Sequence, residues 1–127
     1  MNLTSILYVE DNDDLRESMA MALESPDREI AVCATGEEAI DALAQRDWDI
    51  LMTDVSLPGI PGTELARRQM QAKPQQWVIL CSGYDMRSQM AELGPNVRML
   101  TKPFELDALD QLLDSITDAL KGGSPSA

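Results

Sequence analysis

Short, continuous apolar runs alternate with longer segments whose apolar residues recur every three or four positions. Ile6–Val9, Glu29–Cys33, Trp48–Thr53, Trp77–Cys81 and Val97–Thr101 read as strands. The third and fourth are apolar on successive residues near their centres, the pattern of a strand covered on both faces. Between them lie helical patterns. Leu15, Met19 and Leu23 share one face of a helix from Asp13 to about Glu24, with Asp13 as its cap. Thr35-Gly36-Glu37-Glu38 has the form of a capping box and opens a helix carrying Ala39, Leu43 and Ala44 inward. A third helix starts at Thr63 and ends before Pro74, and a weaker fourth covers Met86 to Leu93 and stops at Gly94-Pro95. Leu106, Leu109, Leu113, Ile116 and Leu120 form the stripe of a fifth. Strands and helices in strict alternation predict an α/β fold, with one open parallel sheet and helices on both faces.

At 127 residues the chain is expected to form one domain over 1–121, with 122–127 a flexible tail or the start of a linker. No apolar run approaches the ~20 residues of a membrane helix. Met1–Ser5 lacks the basic start of a secretory signal. These features predict a cytoplasmic protein without a membrane partner. The formal net charge of −12 argues against direct DNA binding, which needs a basic surface. Cys33 and Cys81 lie within predicted strands and read as buried thiols, with no Cys-x-x-Cys pair to bind metal.

Histidine is absent, so the chain holds no Ser-His-Asp triad, no His-ligated zinc and no phosphohistidine of its own. Asp11 to Ala22 fails as a calcium loop, because Arg16 and Ala22 stand where glycine and an acid are required. No phosphate-binding glycine loop of either common type occurs.

What remains is chemistry at the strand ends. Glu10-Asp11, Asp54, Ser82 and Lys102 each follow an apolar run. In a parallel sheet those C-terminal ends share one edge, where ligand sites collect. Glu10, Asp11 and Asp54 could together hold a hard divalent cation such as Mg²⁺. A carboxylate at Asp54, before the rigid loop Val55–Gly62, could act as a nucleophile on phosphorus. Ser82 offers a hydroxyl donor and Lys102 a point charge for phosphoryl oxygens. Taken singly, these could be a cap, a solvated acid and a surface lysine. As a set, they point to phosphoryl acceptance.

The segments Ile-Leu-Tyr-Val-Glu-Asp-Asn at 6–12, Met-Thr-Asp-Val-Ser-Leu-Pro-Gly at 52–59, Leu-Cys-Ser-Gly at 80–83 and Leu-Thr-Lys-Pro-Phe at 100–104 carry a resemblance. The chain resembles receiver domains of two-component response regulators, of the single-domain chemotaxis-regulator type. The resemblance implies a flavodoxin-like, doubly wound fold with five parallel strands in the order 2-1-3-4-5 and five helices. That order would put Cys33 and Cys81 three strand spacings apart, roughly 14 Å, too far for a disulfide. It implies that Asp54 takes a phosphoryl group from a partner phosphohistidine, on a sensor histidine kinase or a histidine phosphotransfer protein. Asp11, Asp54 and the Ser56 carbonyl would ligate Mg²⁺, with Glu10 acting through water. Ser82 and Lys102 would contact the phosphoryl group, and Lys102–Pro103 would be a cis peptide. A downstream protein would read the face of the fourth helix, fifth strand and fifth helix. Such a domain is not a turnover enzyme, but assists its own phosphorylation and hydrolysis.

Three positions colour this expectation. Met99 stands where many family members have Tyr or Phe, so a ring-flip switch is unavailable there. Ser56 and Tyr84, two residues after Asp54 and Ser82, occupy positions that tune hydrolysis. An aspartyl phosphatase is the enzyme alternative, but Ser56 replaces the second acid such enzymes use. An interaction module that is never phosphorylated is the third reading.

Overall fold

In the computed structural model, residues 3–83 and 94–122 are described. Strands β1 (Thr4–Val9), β2 (Arg28–Cys33), β3 (Ile50–Asp54), β4 (Trp77–Ser82) and β5 (Val97–Thr101) form one sheet in the order β2-β1-β3-β4-β5. All four pairings are parallel. Helices α1 (Asp13–Leu23), α2 (Gly36–Gln45), α3 (Gly62–Ala72) and α4 (Leu106–Gly122) complete the described elements.

The five-helix expectation is corrected to four helices among the described residues. The expected helix from Met86 to Leu93 lies outside them. Its sequence signal was also the weakest, eight residues closed by Gly94-Pro95, shorter than the average helix of about 11 residues.

The unbroken apolar runs are explained by two cores, one on each sheet face. Leu7, Val9, Leu51, Val78 and Leu80 pack with Ala39 of α2 and Leu65, Ala66 and Met70 of α3. The alternate residues Ile6, Tyr8, Ile50, Met52, Ile79 and Cys81 pack with Leu23 of α1 and Leu109, Leu113 and Ile116 of α4. Side chains of a strand point alternately to opposite faces, so both sets must be apolar here.

The helix stripes are narrower than their periodicity predicts. Leu23 is buried and Met19 half-buried, but Leu15 is 51% exposed because it sits in the first turn, past the sheet edge. Leu106 and Leu120, at opposite ends of the α4 stripe, are likewise exposed. On α2, Ile40, Ala42 and Leu43 join Ala39 at the core while Ala44 faces solvent. The cap of α1 is Asn12 rather than Asp13: its Oδ1 accepts from the Leu15 N–H at 3.0 Å. Thr35 caps α2 through the Glu38 N–H at 3.1 Å, and Glu38 reaches back to the Ala34 N–H at 2.8 Å. Both thiols are free and buried.

At the N-terminal edge of the sheet, Arg46 stacks over the Trp48 ring at 4.2 Å and Arg98 over Trp77 at 4.9 Å. The opposite edge carries the polar strand ends.

Candidate phosphoacceptor and metal site

β1, β3, β4 and β5 deliver Glu10, Asp54, Ser82 and Lys102 to one edge through their register. Val9 pairs with Thr53, Asp54 with Cys81 and Ser82 with Thr101. Each reactive side chain thus stands at or one residue beyond the end of a buried strand. Glu10 is 3% exposed and Asp54 8%, whereas Asp11 is open to solvent.

One carboxylate oxygen each from Glu10, Asp11 and Asp54 lies within 4.8 Å of the others. The Lys102 ammonium lies 2.6 Å from Asp54 Oδ1 and 3.8 Å from Glu10 Oε1. Among the described residues, three carboxylates beside one ammonium leave an excess of negative charge. All-oxygen donors with that excess fit a hard divalent cation such as Mg²⁺.

Electrostatics bear the same signature. Burial pushes the Glu10 carboxyl above its ordinary range, the Asn12 N–H bond opposes it, the Asp54 charge adds to it and Lys102 opposes it. Burial would lower the Lys102 ammonium. Its hydrogen bond to Asp54, then the Asp54 and Glu10 charges, overcome this and leave it above its ordinary value.

The backbone around Asp54 is held from both sides. The Val55 N–H donates to the Cys81 carbonyl at 3.0 Å and the Gly62 N–H to the Val55 carbonyl at 2.9 Å. The Thr53 hydroxyl donates to the Asp54 carbonyl at 2.9 Å. A Cβ on Gly62 would lie 2.1 Å from that same carbonyl oxygen, so only glycine lets α3 start this close. Gly59 turns the loop with φ at +73°. Across the site, the Lys102 N–H donates to the Ser82 carbonyl at 2.7 Å, and the Lys102–Pro103 peptide is cis.

Ser82 is buried, Met99 half-buried in β5, and Ser56 exposed just past Asp54. Tyr84 lies outside the described residues.

Three residues near the site escaped the sequence reading. The Tyr8 hydroxyl approaches Glu10 Oε1 at 3.4 Å, and the Asn12 N–H donates to Glu10 Oε2 at 3.1 Å. Arg16 Nη1 donates to the Glu10 carbonyl at 2.9 Å while Nη2 pairs with Asp13 at 2.5 Å. Arg16 carried a usable signal, as the one cation within a turn of five acids from Glu10 to Glu17. Tyr8 read only as an apolar strand residue.

An apolar cavity of about 460 Å³ opens beside these groups, between Leu15 and Met19 of α1 and Phe104 and Leu106.

The response regulator receiver domain family matches residues 6–114. The transcriptional regulatory protein YkoG of Bacillus subtilis is 32% identical over 91% of this chain and 50% of its own length. The receiver protein CpdR of Brucella abortus is 28% identical over 80% of this chain and 86% of its own. The chain therefore spans about half the length of YkoG and most of CpdR. Among solved structures, TrrA from Thermotoga maritima, in complex with Mg²⁺–BeF, is 27% identical with a TM-score of 0.79, covering 91% of this chain and 99% of that one. The receiver domain of an HD domain-containing protein from Pseudomonas fluorescens shares the fold at a TM-score of 0.85, with 22% identity over 94% of this chain and 98% of that one.

Proposed function

This chain belongs to the response regulator receiver domain family, and on that premise we propose that Asp54 accepts a phosphoryl group from a partner's phosphohistidine and so controls an interaction surface. The observation that carries the reading is the Lys102 ammonium 2.6 Å from Asp54, beside a cluster of three carboxylates. A related protein, TrrA, holds Mg²⁺–BeF in its solved structure, which supports the same assignment for this site.

In the forward step, a carboxylate oxygen of Asp54 attacks phosphorus. The P–N bond of the donor breaks, and its electron pair returns to the imidazole. Lys102 and the Ser82 hydroxyl receive charge on the phosphoryl oxygens. Asp11, Asp54 and the Ser56 carbonyl would hold Mg²⁺, with Glu10 acting through water, and the ion would offset repulsion between the carboxylates and the phosphoryl oxygens. In the later hydrolytic step, water attacks phosphorus and the P–O bond to Asp54 breaks with its electron pair going to the carboxylate. Inorganic phosphate leaves carrying the water oxygen while a proton is released to solvent. By the family resemblance, Ser56 and Tyr84 are the positions that tune this hydrolysis.

Family membership implies a histidine kinase or histidine phosphotransfer protein as donor. The downstream partner in this reading is a protein that meets the face of β5 and α4, with Met99 repacking in place of an aromatic flip. Among the described residues no helix is long and apolar enough to cross a membrane. We place the domain in the cytoplasm, where phosphohistidine donors work.

Incubation with acetyl phosphate and Mg²⁺, followed by intact-mass measurement, tests the reading. One added phosphoryl group that disappears in Asp54→Asn is the expected result. No adduct on the unaltered chain would instead favour an interaction module that is never phosphorylated.

A further inference from the structure

We propose that Tyr8 is a positioning residue for the metal site: its hydroxyl holds the Glu10 carboxylate and leaves Lys102 to Asp54. The proposal rests on the phosphoacceptor reading above.

Glu10 has a donor beside each carboxylate oxygen. Oε2 accepts from the Asn12 N–H at 3.1 Å, and Oε1 accepts from the Tyr8 hydroxyl at 3.4 Å. Both side chains are largely buried, at 4% and 3% exposure, so protein donors matter more to Glu10 than they would at the surface. Oε1 has a second neighbour, the Lys102 ammonium at 3.8 Å. That ammonium is shared unequally, because Asp54 Oδ1 holds it at 2.6 Å. A neutral donor on Oε1 supplies a hydrogen bond without adding charge. It lowers the pull of Glu10 on Lys102 and fixes the plane in which Glu10 presents its oxygens.

Removing the hydroxyl changes this balance specifically. The Tyr8 ring packs in the core with Ile6, Met52 and Cys81 and lines the 460 Å³ cavity with Leu15, Met19 and Phe104. Phenylalanine keeps that apolar contact and deletes a single oxygen. Glu10 Oε1 then loses that donor and keeps the Lys102 ammonium at 3.8 Å as a neighbour. The lysine is then free to shift from Asp54 toward Glu10, and a carboxylate free to turn would present its oxygens to a bound cation less well.

Hydrogen-bond partners of metal-binding side chains typically matter by one to two orders of magnitude in affinity. Because the resemblance implies that Glu10 would act through water, we expect the low end: Tyr8→Phe binds Mg²⁺ about tenfold more weakly by calorimetry. In a Glu10→Gln background the same substitution should change Mg²⁺ affinity little, since the interaction it serves is already altered. A merely structural tyrosine would shift the urea midpoint and leave Mg²⁺ affinity alone.

Equal Mg²⁺ affinity in Tyr8→Phe and the unaltered chain overturns the proposal. So does an equal loss with and without Glu10. The acetyl phosphate adduct is scored separately on the unaltered chain. An adduct there with unchanged Mg²⁺ binding in Tyr8→Phe removes the role of Tyr8 but keeps the phosphoacceptor reading, whereas no adduct and no Mg²⁺ binding removes both.

Discussion

Lys102 and Asp54 come from strands 48 residues apart in sequence, yet their charged atoms lie 2.6 Å apart at the sheet edge. The ammonium occupies ground that a divalent cation would compete for electrostatically. It also stands where charge on a phosphoryl oxygen would develop.

Lys102→Ala should therefore separate two effects. Mg²⁺ binding should tighten, because a repelling charge beside the carboxylates is gone. Phosphoryl uptake from acetyl phosphate should slow on the order of a hundredfold, as for removal of a preorganised donor. Calorimetry and a time course of intact mass measure the two separately. Unchanged uptake would show that Lys102 does not meet the phosphoryl group.

Gly62→Ala should be costly for a different reason. The added carbon would meet the Asp54 carbonyl oxygen at 2.1 Å and the Val55 Cα at 3.0 Å, and backbone atoms cannot swing aside. Overpacking of this kind costs about 1–3 kcal/mol. The expected result is a lower urea midpoint together with poorer phosphoryl uptake, since the atom displaced belongs to the acceptor. Gly59→Ala also carries a penalty, roughly 1–2 kcal/mol, from its positive φ. There the close neighbour is the movable Glu37 carboxylate at 2.9 Å, so uptake should survive.

The thiols set an alkaline limit. Burial pushes Cys33 up to about 11 and Cys81 up to about 12 from an ordinary 9.0. The folded chain keeps its protons longer than the unfolded chain. The stability this contributes is whole below pH 9.0 and is lost as pH rises through 11 to 12. Alkylation at pH 8 should be slow in the native protein and fast in urea, and valine at both positions should flatten the alkaline fall in stability. Rapid native alkylation of Cys81 would contradict its burial.

Met99 offers a test of how occupancy reaches the surface. It sits in β5 opposite Leu80 in the register with β4, two residues before the strand end that pairs with Ser82. Methyl NMR with a beryllofluoride mimic and Mg²⁺ should move the Met99 signal while Met52, buried in the sheet centre, shifts less. A still Met99 methyl would rule out its repacking as the switch.

The strand ends were legible in the sequence because burial on both sheet faces forces apolar runs, and the first polar residues after each run mark the edge. Glu10 and Ser82 follow their runs directly, while Asp54 and Lys102 each stand one residue further, after Thr53 and Thr101. What surrounds Glu10 was not legible. Tyr8 belongs to the apolar run by composition, and its hydroxyl acquires a meaning only when the chain turns back after Val9. Arg16 reaches the Glu10 carbonyl only because Asn12 starts the helix at that angle. Helix stripes were overread at their ends: Leu15 and Leu106 keep the right period but lie beyond the sheet that would cover them. The count of five helices depended on eight residues with the thinnest signal.

The stacking of Arg46 on Trp48 and Arg98 on Trp77 has a practical consequence. Both indoles are anchored at the entry of their strands, on the edge opposite Asp54. Intrinsic fluorescence should therefore follow global unfolding while staying nearly blind to what occupies the acidic edge. A denaturation curve read at these two chromophores, with and without Mg²⁺, reports ligand affinity through stability alone, uncontaminated by quenching at the site.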